Sequence, residues 1–309
     1  MKELISFIRD HLFYFSKRSM LIPLIVFLGL SISLYYNFDI GSSTHQFSKN
    51  VLAYFGIYFL IYSFGYYTTL FWYGYIYKNP LILSGKVLII SILLLVILAV
   101  DKAFPFHKYL SEAIISYPFV HYFNRIFRLV SLPVMLGVVV IILIYINNLN
   151  KNSLGLTVKG LKLMPFIYIL TGLIPIVILA SYNQGFQDYY PMYKPTLASE
   201  ITDIPNYIFV GFYEFIYGMN LLTTELIFRG ILVIGFIRMT GKGSIFPMVT
   251  LYCFIHFDKP IYECISSIFG GYVLGVIALY TRSIIGGSIL HIGMAWLMEL
   301  MAWIQHLYD

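Results

Sequence analysis

The chain has 309 residues, of which 60% are hydrophobic and 11% are charged. Soluble domains carry about 25% charged residues, so this composition excludes an ordinary water-soluble fold and predicts an all-α, polytopic membrane protein. The formal net charge of +6 does not indicate nucleic-acid binding, because the chain has no basic run and no nucleic-acid-binding motif.

The first predicted element is a charged segment over residues 1–18. On a helix, Leu4, Ile8 and Leu12 share one side, while Lys2 and Arg9 lie largely elsewhere. This pattern predicts an amphipathic helix that lies on the membrane face; an extension of the first span is the alternative. Its charges and the long apolar run behind it are not typical of a cleaved signal peptide.

Nine apolar runs of roughly 20 residues follow, the length needed to cross a bilayer. They lie near 19–37, 51–76, 86–105, 127–147, 162–182, 206–236, 245–262, 263–281 and 283–305. Asp258, Lys259 and Pro260 interrupt the seventh run, so eight spans are the alternative. The predicted organisation is an N-terminal helix with four spans over 1–150, followed by a helical core over 151–309.

Loop charges support this count. If the N-terminus is cytoplasmic, nine alternating spans leave the inside segments mainly basic, including Lys17 and Arg18. The outside segments, including the C-terminal Asp309, hold more Asp and Glu than Lys and Arg. This asymmetry agrees with the positive-inside rule and predicts an integral membrane protein in contact with lipid.

The second span repeats a tyrosine every four residues. Tyr54, Tyr58, Tyr62 and Tyr66 therefore lie on one helix face. Helix packing and interfacial anchoring are the interpretation we favour; the alternative is a polar-edged lining for a substrate groove.

Two further features predict close packing. Ser267, Gly271 and Gly275 form a ladder of small residues on the eighth span, which lets membrane helices approach each other. Cys253 and Cys264 form neither a disulfide framework nor a Cys-x-x-Cys metal pair, and we expect both to be buried in the core.

Charged and imidazole side chains interrupt the apolar runs of the C-terminal half. Glu225 and Arg229 are four residues apart on the sixth span, so on an α-helix they share a face and can neutralise each other. A lone ion in hydrocarbon is costly, and ionisable residues within a membrane indicate a functional site. Glu214 lies roughly 16 Å along the same helix from Glu225, too far to share its site.

Two histidines lie on other spans. Counted from the predicted span ends, Glu225, His256 and His291 lie at depths of roughly 16, 16 and 12 Å from one membrane face. Antiparallel helices would bring them to one level. They could be three ligands of a catalytic Zn²⁺. Alternatively, Glu225 and one histidine could activate water while the other stabilises an oxyanion. Each histidine alone could simply be a packed core residue.

This ordered set resembles the CPBP family, which contains type II CAAX prenyl-protein endopeptidases and bacteriocin-processing or immunity proteins. The family signature has three parts on separate helices: Glu-Glu-x-x-x-Arg, Phe-x-x-x-His, and His-x-x-x-Asn or Asp. This sequence reads Thr-Glu-Leu-Ile-Phe-Arg over 224–229, Tyr-Cys-Phe-Ile-His over 252–256 and His-Ile-Gly-Met-Ala over 291–295. The resemblance covers about 206–300, and residues 153–165 look like the segment that enters the core in relatives.

The resemblance implies an intramembrane endopeptidase that cleaves a membrane-associated protein or peptide, in the bacterial inner membrane. The residues it implies at the site are Glu225, His256 and His291, with Thr224 and Arg229 at the remaining positions of the motif. Zn²⁺ is the candidate cofactor, with Glu225, His256 and His291 as its ligands.

Three positions depart from the family pattern, of which Tyr252 in place of phenylalanine is the mild one. Thr224 replaces the first glutamate, which the family uses to activate water, and Ala295 replaces the polar residue of the last motif. Threonine cannot act as a general base near neutral pH, so a catalytically inactive membrane scaffold that binds a partner protein is the alternative function. A transporter with Glu214, Glu225 and Arg229 along a polar path is a third hypothesis; no inverted repeat supports it.

Overall fold

The computed structural model describes residues 2–16, 20–147, 151–159 and 161–308 and is helical without strands over them. Lys17, Arg18 and Asp309, used above in the charge pattern, and Gly160 of the entering segment lie outside the described residues. The helices are α1 (Lys2–Ser16), α2 (Leu21–Asn37), α3 (Ile40–His45), α4 (Val51–Tyr77), α5 (Gly85–Ala103), α6 (Phe106–Ile114), α7 (Val120–Asn147), α8 (Met164–Ser181), α9 (Gln184–Tyr189), α10 (Leu197–Ile201), α11 (Asn206–Glu225), α12 (Ile237–Thr240), α13 (Ile245–Phe254), α14 (Ile261–Thr281) and α15 (Ile285–Tyr308). A π-helical stretch, Leu226–Gly235, follows α11 directly.

Within the described residues, six helical segments are long and apolar enough to cross a bilayer. They are Val51–Tyr77, Val120–Ile141, Met164–Ser181, Asn206–Gly235, Ile261–Thr281 and Ile285–Leu307. Two further helix pairs, bent by 64° and 56°, raise the number to eight if each pair is one span. The chain is an integral membrane protein by this criterion, whereas the predicted count of nine spans is not confirmed.

The predicted seventh span, 245–262, is not one continuous helix. Helix α13 has 10 residues, about 15 Å at 1.5 Å per residue, which is half the thickness of a bilayer core. The chain then turns through residues 255–260. Asp258 there adopts a left-handed backbone with φ of 71°, and Pro260 precedes α14. The Asp-Lys-Pro interruption in the sequence thus ends the helix well before residue 262.

The chain divides into two compact units. The first unit consists of Met1–Phe104, Ile144–Leu161 and Leu226–Gly287, and the second of Pro105–Leu143, Lys162–Glu225 and Ser288–Asp309. Each unit draws on both halves of the sequence. The predicted division at residue 150 stays a prediction.

In the first unit, α4 packs against α5 and α13. The tyrosine stripe of α4 is buried, with Tyr54, Tyr58, Tyr62 and Tyr66 each less than a tenth exposed. On the same helix, a Cβ on Gly65 would lie 2.7 Å from the ring of Phe254, so this glycine permits the close approach of α13. The burial supports the packing interpretation of the stripe.

Helix α1 docks onto α14 within the first unit. His11 is fully buried, and its ring nitrogens lie 2.6 Å from the hydroxyl of Tyr272 and 3.2 Å from the carbonyl oxygen of Lys242. Phe7 stacks on Tyr280 with ring centroids 4.9 Å apart. Of the predicted apolar side, Leu4 is buried whereas Leu12 is 39% exposed, so protein contacts cover that side in part.

The second unit holds α11 and α15 in place through aromatic packing and polar contacts to backbone. Tyr122 donates to the carbonyl of Phe209 at 2.9 Å, and Asn220 donates to that of Leu129 at 2.8 Å, both bonds joining α7 to α11. On α15, Glu299 accepts the backbone N–H of Met192. These contacts fix the two helices that carry Glu225 and His291.

Candidate active site

Glu225 and His291 meet in the second unit. Glu225 is the last residue of α11, and His291 lies in the second turn of α15. The His291 Nδ1 atom lies 2.8 Å from Glu225 Oε1. Glu225 is fully buried, whereas the His291 side chain remains 19% exposed. With an ionised carboxylate, Nδ1–H is the donor, and the second ring nitrogen, Nε2, carries the lone pair of the neutral imidazole.

The helix that carries the first motif changes its geometry immediately after Glu225. Leu226–Gly235 is π-helical, and Arg229 lies fully buried within it. The π-helix is rare and is found disproportionately at functional sites. The predicted pairing of Glu225 with Arg229 assumed α-helical geometry through both residues; α geometry ends at Glu225, and that pairing stays a prediction.

Gly230, the residue after the first motif, allows a close backbone approach. A Cβ built there would lie 2.8 Å from the carbonyl oxygen of Leu154. Leu154 belongs to the 153–165 segment, which is pinned nearby because Ile284 N–H donates to Gly155 O at 3.0 Å. The segment that resembles the core entry in relatives therefore packs on the π-helical stretch of the first unit.

Tyr252 organises a second group of motif residues in the first unit. The Arg229 guanidinium carbon lies 4.3 Å from the centroid of the Tyr252 ring, a cation–π contact. His256 Nδ1 lies 2.6 Å from the backbone oxygen of Tyr252, and the two rings lie 4.6 Å apart. Because a carbonyl only accepts, His256 also carries its proton on Nδ1. The sequence marked Tyr252 only as a substitute for phenylalanine and missed this organising role.

The small-residue ladder supports Tyr252 from α14. A Cβ on Gly271 would lie 3.0 Å from the Tyr252 ring, and one on Gly275 would lie 2.6 Å from Met248. The predicted close packing is thus confirmed. Cys253 and Cys264 are both buried and free, with their sulfur atoms 3.8 Å apart, as expected for core residues.

The two substituted motif positions offer little polarity. Thr224 donates its hydroxyl proton to the carbonyl oxygen of Asn220 at 3.2 Å, a bond within its own helix. Ala295, four residues after His291 on α15, is buried. Neither side chain supplies a carboxylate or an amide next to the histidine.

The predicted residues therefore fall into two groups, Glu225 with His291 in one unit and Arg229 with His256 around Tyr252 in the other. Their convergence on one pocket stays a prediction. Across the described residues, no group of three or more His, Cys, Asp and Glu side chains is arranged to hold a metal ion. The predicted Zn²⁺ site draws its ligands from both groups and stays a prediction.

Comparison with known proteins bears on the C-terminal half of the sequence. No curated protein and no solved structure matches the chain. A family model does match, over residues 206–297, which include all three motifs but less than half of the chain. That family is described as type II CAAX prenyl endopeptidase Rce1-like, and the resemblance of this segment to the CPBP family is thereby confirmed.

Proposed function

We propose that the protein is an intramembrane endopeptidase that cleaves a membrane-associated protein or peptide. The observation that carries the proposal is the contact between the buried Glu225 carboxylate and Nδ1 of the part-exposed His291. A carboxylate that orients an imidazole is the arrangement by which hydrolases produce a general base near neutral pH. The family match over 206–297 supports the same chemistry.

In the proposed reaction, His291 acts as the base. Its Nδ1–H donates to Glu225, which leaves Nε2 to take a proton from water as the water oxygen attacks the scissile carbonyl. Glu225 stabilises the resulting imidazolium by its negative charge. When the tetrahedral intermediate collapses, the C–N bond breaks and Nε2 returns the proton to the leaving amine. The products are a carboxylic acid and an amine.

The other motif residues take supporting roles in this proposal. His256, whose Nδ1–H donates to the carbonyl of Tyr252, keeps the oxyanion-stabilising role of one of the two sequence-based interpretations; this role requires a proton on Nε2 as well, that is, the imidazolium form. Arg229 holds the Tyr252 ring by its cation–π contact. Thr224 contributes at most a hydroxyl oxygen that accepts a hydrogen bond from water, because its proton is engaged by Asn220.

The direct test is turnover by the purified protein in lipid nanodiscs. Peptides that end in a Cys-a-a-X sequence, with and without a prenyl group on the cysteine, are incubated with the protein, and new termini are identified by mass spectrometry. We expect cleavage that His291→Ala abolishes. The matched control is His306→Ala, which removes an imidazole of the same helix whose Nδ1 bonds to the backbone oxygen of Ala302; it should retain cleavage.

A catalytically inactive scaffold is the alternative, favoured by Thr224 and Ala295 at positions where the family has polar residues. It predicts no His291-dependent cleavage of any peptide. It also predicts that a captured partner protein remains bound when His256 and His291 are both replaced by alanine. Cleavage in the wild type that is lost in His291→Ala decides for the peptidase.

We further propose the topology with a cytoplasmic N-terminus, in a bacterial inner membrane. The mainly basic inside segments carry this proposal. Reporter fusions after Lys78 and after Lys194 test it, because the first belongs to a predicted inside loop and the second to a predicted outside loop. Equal reporter signals at both sites would contradict it.

A further inference from the structure

Asp258 gathers polar groups from three helices of the first unit. Tyr58 on α4 donates to Asp258 Oδ2 at 2.7 Å, and the Lys102 ammonium on α5 lies 2.9 Å from the same oxygen. Tyr35 on α2 donates its hydroxyl to Asp258 Oδ1. A carboxylate accepts several such bonds at once, and charge-assisted bonds are the strong ones. All three partners come from sequence outside the matched segment 206–297.

Helix α2, which carries Tyr35, also fixes the residues on either side of Asp258. The Tyr35 ring stacks on Phe257 with centroids 4.3 Å apart, and Tyr36 donates its hydroxyl to the carbonyl of Lys259 at 2.6 Å. Asp258 itself has a left-handed backbone, φ 71°. Such a conformation in a residue other than glycine persists where surrounding contacts over-determine it.

This turn is the segment that carries His256. Asp258 follows it by two residues, and the Lys259 N–H donates to His256 O at 3.1 Å. On its other side, the His256 ring is held by the Tyr252 carbonyl. The imidazole therefore sits between a helix end that holds its Nδ1 and a turn whose position depends on Asp258. A shift of about 1 Å in a catalytic group can lower a rate by roughly 100-fold.

We propose that Asp258 is a positioning residue, which with Tyr35, Tyr58 and Lys102 holds the His256 turn in its working geometry. The role rests on the proposed peptidase function. It makes the N-terminal helices, which the family match does not include, a working part of the site. Hydrogen bonds and an ion pair from three helices, a left-handed backbone, and the stacking of Tyr35 on the adjacent Phe257 carry the assignment.

Tyr58→Phe and Asp258→Asn test the role with little change in side-chain volume. Tyr66→Phe is the matched control, because it removes a hydroxyl from the same buried stripe two turns along α4. Hydrogen–deuterium exchange of peptides that cover 255–260 reports on the turn without any need for turnover. Peptide cleavage in nanodiscs gives kcat and KM separately.

We expect Tyr58→Phe and Asp258→Asn to raise exchange at 255–260 by about tenfold and to lower kcat by roughly 10- to 100-fold, with KM changed less than about twofold. Tyr66→Phe should change neither measurement. The charge-swapped pair Lys102→Asp with Asp258→Lys should regain part of the kcat that either single replacement loses, since it restores the ion pair.

Three outcomes would overturn the role: unchanged exchange at 255–260 in both variants, raised exchange with unchanged kcat, or equal effects of Tyr58→Phe and Tyr66→Phe. Failure of the proposed function gives a different result, namely no cleavage by the wild type. In that case, raised exchange at 255–260 in Tyr58→Phe but not in Tyr66→Phe still supports Asp258 as the residue that holds the turn. Unchanged exchange in Tyr58→Phe overturns that role.

Discussion

Glu225→Gln is the sharpest test of the proposed dyad, because it keeps the size and one acceptor oxygen while removing the charge. Glu225 is fully buried, and its carboxylate lies 2.8 Å from His291 Nδ1. A buried hydrogen bond to a charged group contributes about 1.5–3 kcal/mol. At 1.36 kcal/mol per factor of ten, that loss lowers kcat by roughly 10- to 150-fold. KM should change less than about twofold, because the charge is needed when His291 becomes protonated.

The assay is steady-state cleavage of the best peptide in nanodiscs. Glu214→Gln is the control, since it makes the same change on the same helix, roughly 16 Å along the axis from Glu225. We expect this control to keep its kcat within about twofold. A Glu225→Gln protein with wild-type kcat, or with a loss no larger than that of Glu214→Gln, would refute the reasoning.

Three other predictions concern the parts of the fold that support the site. Gly230→Ala puts a Cβ 2.8 Å from the carbonyl oxygen of Leu154, so it should destabilise the protein by about 1–3 kcal/mol. The control Gly137→Ala, with open space around the added Cβ, should not destabilise it. Thermal melts in detergent measure both variants. Arg229→Lys keeps the charge but loses the planar group that stacks on the tyrosine ring, so it should lower the melting temperature and kcat together; a lysine variant equal to the wild type would contradict this contact. Burial lowers the pKa of His11 from 6.5 to about 4. The docked α1 therefore binds fewer protons than the detached helix between these pH values. Its docking should weaken by roughly 3 kcal/mol as the pH falls from about 6.5 to 4. The measurement is hydrogen exchange of α1, expressed as protection relative to the intrinsic exchange rate at each pH. Protection should fall over that pH window and stay constant above pH 7, and pH-independent protection would count against the prediction.

The sequence indicates the helical membrane class correctly because composition and long apolar runs depend on solvent alone. It cannot count spans reliably where the chain turns inside an apolar region. The run from 245 to 262 shows why: its apolar length suggests a crossing, yet α13 ends at Phe254. The Asp258 carboxylate that interrupts the run is stabilised by Tyr58 and Lys102, and these partners are remote in sequence.

For the candidate site, the sequence identifies the motif residues but not their partners. Periodicity predicts that Glu225 lies beside Arg229 on an α-helix; the helix becomes π-helical at Leu226, and the pairing stays a prediction. The contact of Glu225 with His291 depends on how α11 and α15 pack, and no spacing rule encodes that. The sequence also does not predict the cation–π contact of Arg229 with Tyr252, because an aromatic residue in an apolar run is usually an ordinary core residue.

The loss of the first glutamate at Thr224 has a specific consequence under the proposed mechanism. A carboxylate that acts as the base needs direct access to water, and the fully buried Glu225 is poorly suited to that task. A carboxylate that orients a histidine needs burial and one short hydrogen bond, and Glu225 has both. Under the proposed mechanism the part-exposed His291 takes the proton from water in its place. On this reasoning, Thr224→Glu alone should add a second route to water activation and raise kcat. Combined with Glu225→Gln, it should not fully restore kcat, because His291 still lacks its carboxylate partner. If Thr224→Glu fully restores activity to Glu225→Gln, then position 224 supplies the base and the histidine is secondary.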